Sequence, residues 1–369
     1  MSEHTIREIR QQPSLWRELA TRLAAEAGPL DAALGDWLGD PLREVVFTGA
    51  GSSGFIAEMV ADTVAAHWPV RARALHTTSL LSHPALYLQR TRPTLLVSFA
   101  RSGSSPESLA AVELVRAGVA HARFLDITCN GEGELARRGR GRSDTCTLLM
   151  PPASCDRGFA MTGSLTCMLL AALCVFGREP WPQRVQRLQQ LAELGEHALA
   201  SWQDALAALA RQAHARVVYL GSGPAEALAR EAALKLLELS AGRVVASANT
   251  PLGFRHGPKS LLDRDTLVVV LRSAEPLARR YEQDLLHELR RDGVAGKVIA
   301  VGPRGTDDHA DDLTLDVPAW PDPWLAPLWL GFAQRLALLR SQDLGLDPDN
   351  PFPDGTVNRV VQGVTIHHG

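Results

Sequence analysis

The chain has 369 residues, of which 46% are hydrophobic and 21% charged, with a formal net charge of −3. That length sets a prior of about two domains at roughly 150 residues each, and the apolar share is enough for two cores. A slightly acidic balance with no polybasic run argues against a nucleic-acid partner.

The opening segment MSEHTIREIRQQPS is polar and charged, so it does not read as a secretory signal. It belongs to a short helical extension, expected over 1–39. The first β-branched run is VVFTGAG (45–51), followed by a helical stretch, FIAEMVADTVAAHW (55–68). Then come RARA (71–74), LLV (95–97), the helical PESLAAVELVRAG (106–118), FLDI (124–127) and LLMP (148–151). The longest apolar run, LTCMLLAALCVF (165–176), is too short to cross a bilayer. A helical linker is expected over 183–204.

Beyond the linker the order repeats. VVYLGSG (217–223) matches VVFTGAG at an offset of 172, and LVV (267–269) matches LLV at the same offset. RVVA (243–246), VIAV (298–301) and LDVP (315–318) answer the remaining runs, with helical EALAREAALKLLELS (226–240) and PLARRYEQDLLHELRRDG (276–293) between them. Alternating strands and helices imply parallel sheets. The expectation is an α/β protein with two tandem domains, 40–182 and 205–348. Each would be a doubly wound five-stranded parallel sheet with helices on both faces. A Pro/Asn/Asp-rich tail over 349–369 closes the chain. The cysteines at 129, 146, 155, 167 and 174 include no CxxC pair and no metal-site spacing. Buried, reduced thiols in the cytoplasm fit that pattern.

Ligands of such sheets bind at the C-terminal ends of the strands, so the loops there carry the functional reading. GAGSSG (49–54) satisfies the dinucleotide fingerprint GxGxxG, but the second strand ends in LHTTS (75–79), without the acidic residue a ribose needs. The loop offers Ser52 and Ser53 instead. After the third strand, SFARSGSSPES (98–108) places Ser102, Ser104 and Ser105 around Gly103, ahead of Pro106 at a helix start. Ser105 could simply cap that helix. Several hydroxyls beside free N–H groups and a positive dipole end also make a phosphate cradle. The corresponding second-half loop, RSAEPLARR (272–280), has no serine cluster. Another Ser/Thr-bearing turn, GFAMTGSLT (158–166), carries Thr162 into a helix.

The second half holds a different signal. In REAALKLLELSAG (230–242), Glu231, Lys235 and Glu238 line one narrow stripe of an otherwise Ala/Leu helix. Taken alone, a Glu–Lys pair facing water accounts for it. The stripe is followed by LGFRHGPKSLLD (252–263), where His256 beside Gly-Pro is placed to titrate near neutrality.

Together these motifs resemble the SIS (sugar isomerase) domains, and the resemblance spans most of the chain as two such domains. EAALKLLELSAG with FRHGP looks like the isomerase half of glucosamine-6-phosphate synthase. SFARSGSSPES, GFAMTGSLT and NPFPDGTVNRVVQGVTI (350–366) are similar to bacterial galactosamine-6-phosphate deaminase/isomerases, also called tagatose-6-phosphate ketose/aldose isomerases. The resemblance implies phosphate contacts from Ser53, Ser102, Ser104 and Ser105, with Ser52 and Thr162 beside them. It implies that Glu238 moves a proton between C1 and C2, and that Glu231 and Lys235 line the sugar. It implies that His256 opens the sugar ring, supplied by the partner subunit of a homodimer or higher oligomer. The synthase's terminal lysine falls on Gln362 here, which puts covalent capture of a ketose by the tail in doubt. The implied reaction is deaminating isomerisation of galactosamine 6-phosphate, needing no metal and no redox cofactor. Glucosamine 6-phosphate as substrate, or a non-catalytic sugar-phosphate sensor, are the alternatives. A sensor would have no use for the stripe and its histidine.

Overall fold

The runs of Val, Leu and Ile become ten strands in a computed structural model that describes residues 3–361 and 363–367. The first sheet holds β1 (Glu44–Gly49), β2 (Arg71–His76), β3 (Thr94–Ala100), β4 (Ala122–Thr128) and β5 (Thr145–Leu149), in the order β2-β1-β3-β4-β5. The second holds β6 (Arg216–Gly221), β7 (Val245–Asn249), β8 (Thr266–Leu271), β9 (Lys297–Pro303) and β10 (Leu313–Leu315), in the order β10-β9-β8-β6-β7. Read from its other edge, the second order repeats the first. All paired strands are parallel. Strands β1, β3 and β8 are buried along their whole length, whereas the edge strands β2 and β7 are partly exposed. That contrast is why the central strands read as continuous apolar runs.

Three edge strands are displaced from the runs their hydrophobicity suggests: β5 and β10 begin earlier, and β7 begins and ends later. β5, β7 and β10 run through Thr145, Thr147, Ser247, Asn249 and Thr314, which an apolar pattern skips. Pro151 and Pro318 fall outside the strands.

The chain forms two compact units. The first-sheet unit comprises Gln11–Asp156, Met161–Ala192 and Asp354–Gly369, and the second-sheet unit Met1–Arg10, Arg157–Ala160 and Glu193–Pro353. The segments therefore interleave, where the sequence suggested consecutive blocks. Local bonds within the second-sheet unit show why. Thr5 donates its N–H (2.8 Å) and hydroxyl (2.6 Å) to Asp349. Glu8 accepts from the N–H of Arg157 (2.6 Å) and of Gly158 (3.1 Å). The expected 1–39 extension accordingly splits into helices Glu3–Arg10 and Gln12–Leu34, which fall in different units. The expected 183–204 linker is part of helices Trp181–Ser201 and Gln203–Arg211.

Each unit has its own core. In the first, Val46, Leu96 and Phe124 pack with Ala111 and Val115 of helix Pro106–Gly118. In the second, Val218, Leu220, Val268 and Val270 pack with Leu285, Leu286 and Leu289 of helix Pro276–Asp292. Every residue of helix Gly163–Val175 is buried, which explains its unbroken apolar run. Among the described residues, no helix is long and apolar enough to cross a membrane. The five cysteines form no disulfide; Cys129, Cys167 and Cys174 are buried, and Cys146 and Cys155 only partly so.

Candidate active site

The first turn, after β1, is dictated by glycine. A Cβ on Gly49 would lie 2.5 Å from the Ser53 carbonyl carbon, so only a bare backbone lets helix Ser52–His67 start against the strand end. Gly51 adopts φ +54°, a conformation open to glycine. The same device recurs after β6, where a Cβ on Gly221 would lie 2.1 Å from the Ala225 oxygen and Gly223 also has φ +54°. Strand-to-helix geometry thus accounts for the leading glycines of the dinucleotide-like fingerprint. Gly54 has a further reason: a Cβ there would lie 2.4 Å from the His76 ring, whose Nε2 is 3.0 Å from Glu58 Oε1. Ser52 and Ser53 sit in the first helical turn, both buried, and no side chain caps that helix.

The serine loop leaves its helix end similarly open. Ser105 does not cap helix Pro106–Gly118; its hydroxyl donates to Ser108 Oγ at 2.7 Å. Ser104 is exposed, and its hydroxyl makes only long bonds, donating to Ser102 O at 3.4 Å and accepting from Glu134 N–H at 3.3 Å. Ser102 is half-buried, and Gly103 takes φ +64° between the two. Arg101 is buried at the loop's base and donates to the Arg359 carbonyl of the tail at 2.7 Å. Gln362, further along that tail, lies outside the described residues. Beside Ser98 on β3, the β4 residue Asp126 is 2% exposed, and its Oδ1 has no hydrogen-bond partner among the described residues. Burial pushes its carboxyl up to about 7.

Thr162 has a different setting from the other hydroxyls. It is buried, and its N–H and hydroxyl each donate to Asp156 at 2.8 Å. The same carboxylate accepts from the N–H of Gly163 (3.1 Å) and of Ser164 (3.0 Å). The start of helix Gly163–Val175 already holds an anion, supplied by the chain itself.

In the second-sheet unit, internal carboxylates also occupy the loops after β6 and β8. Glu282 accepts from the Ser222 hydroxyl at 2.6 Å and from Ser273 N–H at 2.9 Å. Asp322 accepts from Ala274 N–H at 2.6 Å and from the Ser273 hydroxyl. Burial raises both carboxyls above the usual range. Nothing in the apolar periodicity signals Asp156, Glu282 or Asp322. Only the folded chain shows that each reaches a backbone donor cluster.

The charged stripe is largely inside this unit. Helix Pro224–Leu239 packs on β6, β7 and helix Asp322–Asp343, and it buries both Glu231 and Lys235. Lys235 Nζ lies 3.5 Å from Glu231 and hydrogen-bonds Glu238. Glu238 alone reaches outward, with 24% of its side chain exposed. The structure therefore removes the reading of a pair facing water. His256 is exposed on the loop after helix Pro251–Phe254, where Gly257 takes φ +118°.

These arrangements provide open hydroxyl-bearing helix ends in one unit, and in the other a carboxylate held by a buried ammonium. Comparison with known proteins adds the family. A SIS domain matches residues 42–176. D-galactosamine-6-phosphate deaminase AgaS of Escherichia coli is 43% identical over 98% of this chain and 95% of its own length. The chain belongs to the D-galactosamine-6-phosphate deaminase AgaS family. The AgaS protein of Shewanella sp. (strain ANA-3) is 41% identical over 98% of this chain and 91% of its own. The solved structure of tagatose-6-phosphate ketose/aldose isomerase from Escherichia coli superposes with a TM-score of 0.89 at 39% identity, covering 99% of this chain and 96% of that one. The AgaS likeness therefore runs through both sheets, and the SIS match spans β1 to β5.

Proposed function

We propose that this chain catalyses the conversion of D-galactosamine 6-phosphate and water to D-tagatose 6-phosphate and ammonia. The observation that carries the chemistry is the Glu231–Lys235–Glu238 chain, with two members buried and Glu238 reaching out. Burying an ion pair costs several kcal/mol, and a well-packed apolar pair would serve stability as well. A Glu/Lys/Glu line kept inside an Ala/Leu helix therefore points to chemistry.

The mechanism follows from the groups present. His256 assists opening of the sugar ring. Glu238 takes the proton from C2 of the open-chain aldosamine, the electron pair forms the C1–C2 double bond of an enolamine, and the C1 carbonyl π pair moves to O1, which takes a proton that the C2 iminium later returns to solvent. The same carboxyl returns the proton to C1, leaving an imine at C2. Water adds to that imine, the C–N bond breaks, and ketose phosphate and ammonia leave. Hydrogen moves from C2 to C1 with no net oxidation. Such positioned proton transfer contributes typically about 10²–10⁴-fold. Lys235 holds Glu238 in place, and Glu231 anchors Lys235.

The phosphate is assigned to Ser53, Ser102, Ser104 and Ser105 with the N–H groups of the two uncapped helix ends, and Ser52 flanks them. Thr162 keeps the neighbouring turn in shape through Asp156. The functional domains are taken as 40–182 and 205–348, each sheet doubly wound; the strand order 2-1-3-4-5 supports that reading. A sugar-phosphate substrate supports a cytoplasmic enzyme, and the exposed His256 suits donation to a second copy of the chain.

The test offers D-galactosamine 6-phosphate and D-glucosamine 6-phosphate to the protein, measuring ammonia and ketose phosphate. Glu238→Gln should still bind the sugar phosphate, while losing both deamination and exchange of the C2 hydrogen with deuterated solvent. Near-normal exchange in that variant would place the base elsewhere.

A further inference from the structure

The histidine loop is held in an unusual way. Helix Pro251–Phe254 begins with Thr250, whose side chain accepts from Gly253 N–H at 3.0 Å, and ends with the buried Phe254. His256 N–H donates to the Gly253 carbonyl at 3.0 Å, after which Gly257 turns the chain. On either side of the histidine stands a cation, Arg255 before it and Lys259 after it. Both reach the same carboxylate on helix Pro276–Asp292. Arg255 Nε donates to Glu288 Oε2 at 2.8 Å, and Lys259 Nζ donates to Glu288 Oε1 at 2.5 Å. Lys259 also meets Asp292 at 2.7 Å. His256 stays exposed between them, with no share in these bonds.

We infer that Glu288 is a positioning residue for His256: by gripping Arg255 and Lys259 with its two oxygens, it fixes the loop so that the imidazole is presented in one place. The inference rests on the ring-opening role proposed above for His256. An isolated surface ion pair contributes little to stability. Here one carboxylate ties both flanks of a five-residue segment to a long helix, and a Gly-Pro turn would otherwise let the ring wander. The Lys259 bond lowers the Glu288 carboxyl, while hydrogen bonds to Asp292 and Glu288 raise the Lys259 ammonium. Asp292 alone cannot replace the clamp, because it reaches only Lys259 and the neighbouring Arg291. A misplacement of about 1 Å in a catalytic group can cost on the order of 10²-fold.

The experiment is a double-mutant cycle on the full chain, with D-galactosamine 6-phosphate as substrate. Glu288→Ala should lower kcat by about tenfold while KM stays within about twofold, since binding precedes ring opening. Glu288→Asp, which keeps the charge on a shorter arm, should recover part of the loss at an unchanged melting temperature. In a His256→Asn background, Glu288→Ala should cost nothing further, because its effect runs through the ring. An unchanged kcat in Glu288→Ala, or losses that multiply in the double variant, would overturn the clamp while leaving the ring-opening role intact. A His256→Asn variant with wild-type turnover would remove that role, and the clamp with it. The two failures are thus read from different variants.

Discussion

Replacing Asp126 by Asn tests the electrostatics beneath the serine loop. The carboxyl is 2% exposed, and burial raises it from 3.8 to about 7. The folded state therefore keeps a proton that the unfolded chain releases, so stability falls as pH climbs from the lower value to the upper and is flat beyond it. A shift of about three units, at about 1.36 kcal/mol each, makes the full loss about 4 kcal/mol. Roughly 2.5 kcal/mol of that develops between about pH 5 and about pH 8. Asparagine keeps the shape and does not ionise. Relative to wild type, Asp126→Asn should gain stability over that interval by about 2.5 kcal/mol. Urea denaturation followed by tryptophan fluorescence at the two pH values reads the difference directly. A wild-type-to-variant gap that does not move with pH would show that Asp126 is ionised in the folded protein, and that its burial is relieved by contacts absent from this structure.

Ser102→Ala with Ser104→Ala should raise KM for the phosphorylated sugar by roughly tenfold to hundredfold, since the two hydroxyls, turning from their long bonds to a phosphate, are together worth about 1.5–3 kcal/mol; steady-state kinetics beside a circular dichroism check of the fold would show it, and an unchanged KM would remove the cradle. Asp156→Asn should destabilise the protein by about 3 kcal/mol, because one amide oxygen replaces a charged acceptor at a helix start; a melting temperature equal to wild type would mean the turn finds another anchor.

The repeat was legible because glycine spacing and apolar runs are local signals. Helices Pro106–Gly118 and Pro276–Asp292 begin where proline announces them, since proline at the first helical position forgoes no bond. The division into units was not legible. It rests on Thr5 and Glu8 meeting Asp349, Arg157 and Gly158, contacts distant in sequence with no periodicity to betray them. The stripe was visible as spacing, but its burial was not. A helix with leucines on every side of Glu231 and Lys235 can bury them only because β6, β7 and helix Asp322–Asp343 all pack on it. The serine loop was legible as composition. What composition could not show was the Ser105 hydroxyl turning to Ser108, which leaves the helix start without a side-chain cap.

The two halves differ in how the donors of their strand-end loops are filled. In both, the strand is followed by Arg-Ser and the helix begins at proline, Pro106 in one and Pro276 in the other. Six residues past the proline stands Val112 in the first case and Glu282 in the second. Glu282 reaches back to Ser273 N–H and across to Ser222, joining the two loops through a carboxylate. That is the service a phosphate would perform between the Ser52–Ser53 turn and the serine loop. Asp322 takes the adjoining donors. Filling a donor cluster from within removes the cost of leaving buried N–H groups unpaired, but it also closes the site to any outside anion. Val112 offers no such substitute, and helices Ser52–His67 and Pro106–Gly118 start without a side-chain cap. On the function proposed above, a duplicated fold would in this way retain one phosphate site per chain: the second copy's donors are neutralised in place, which preserves its packing and leaves its neighbouring helix available to carry Glu231, Lys235 and Glu238.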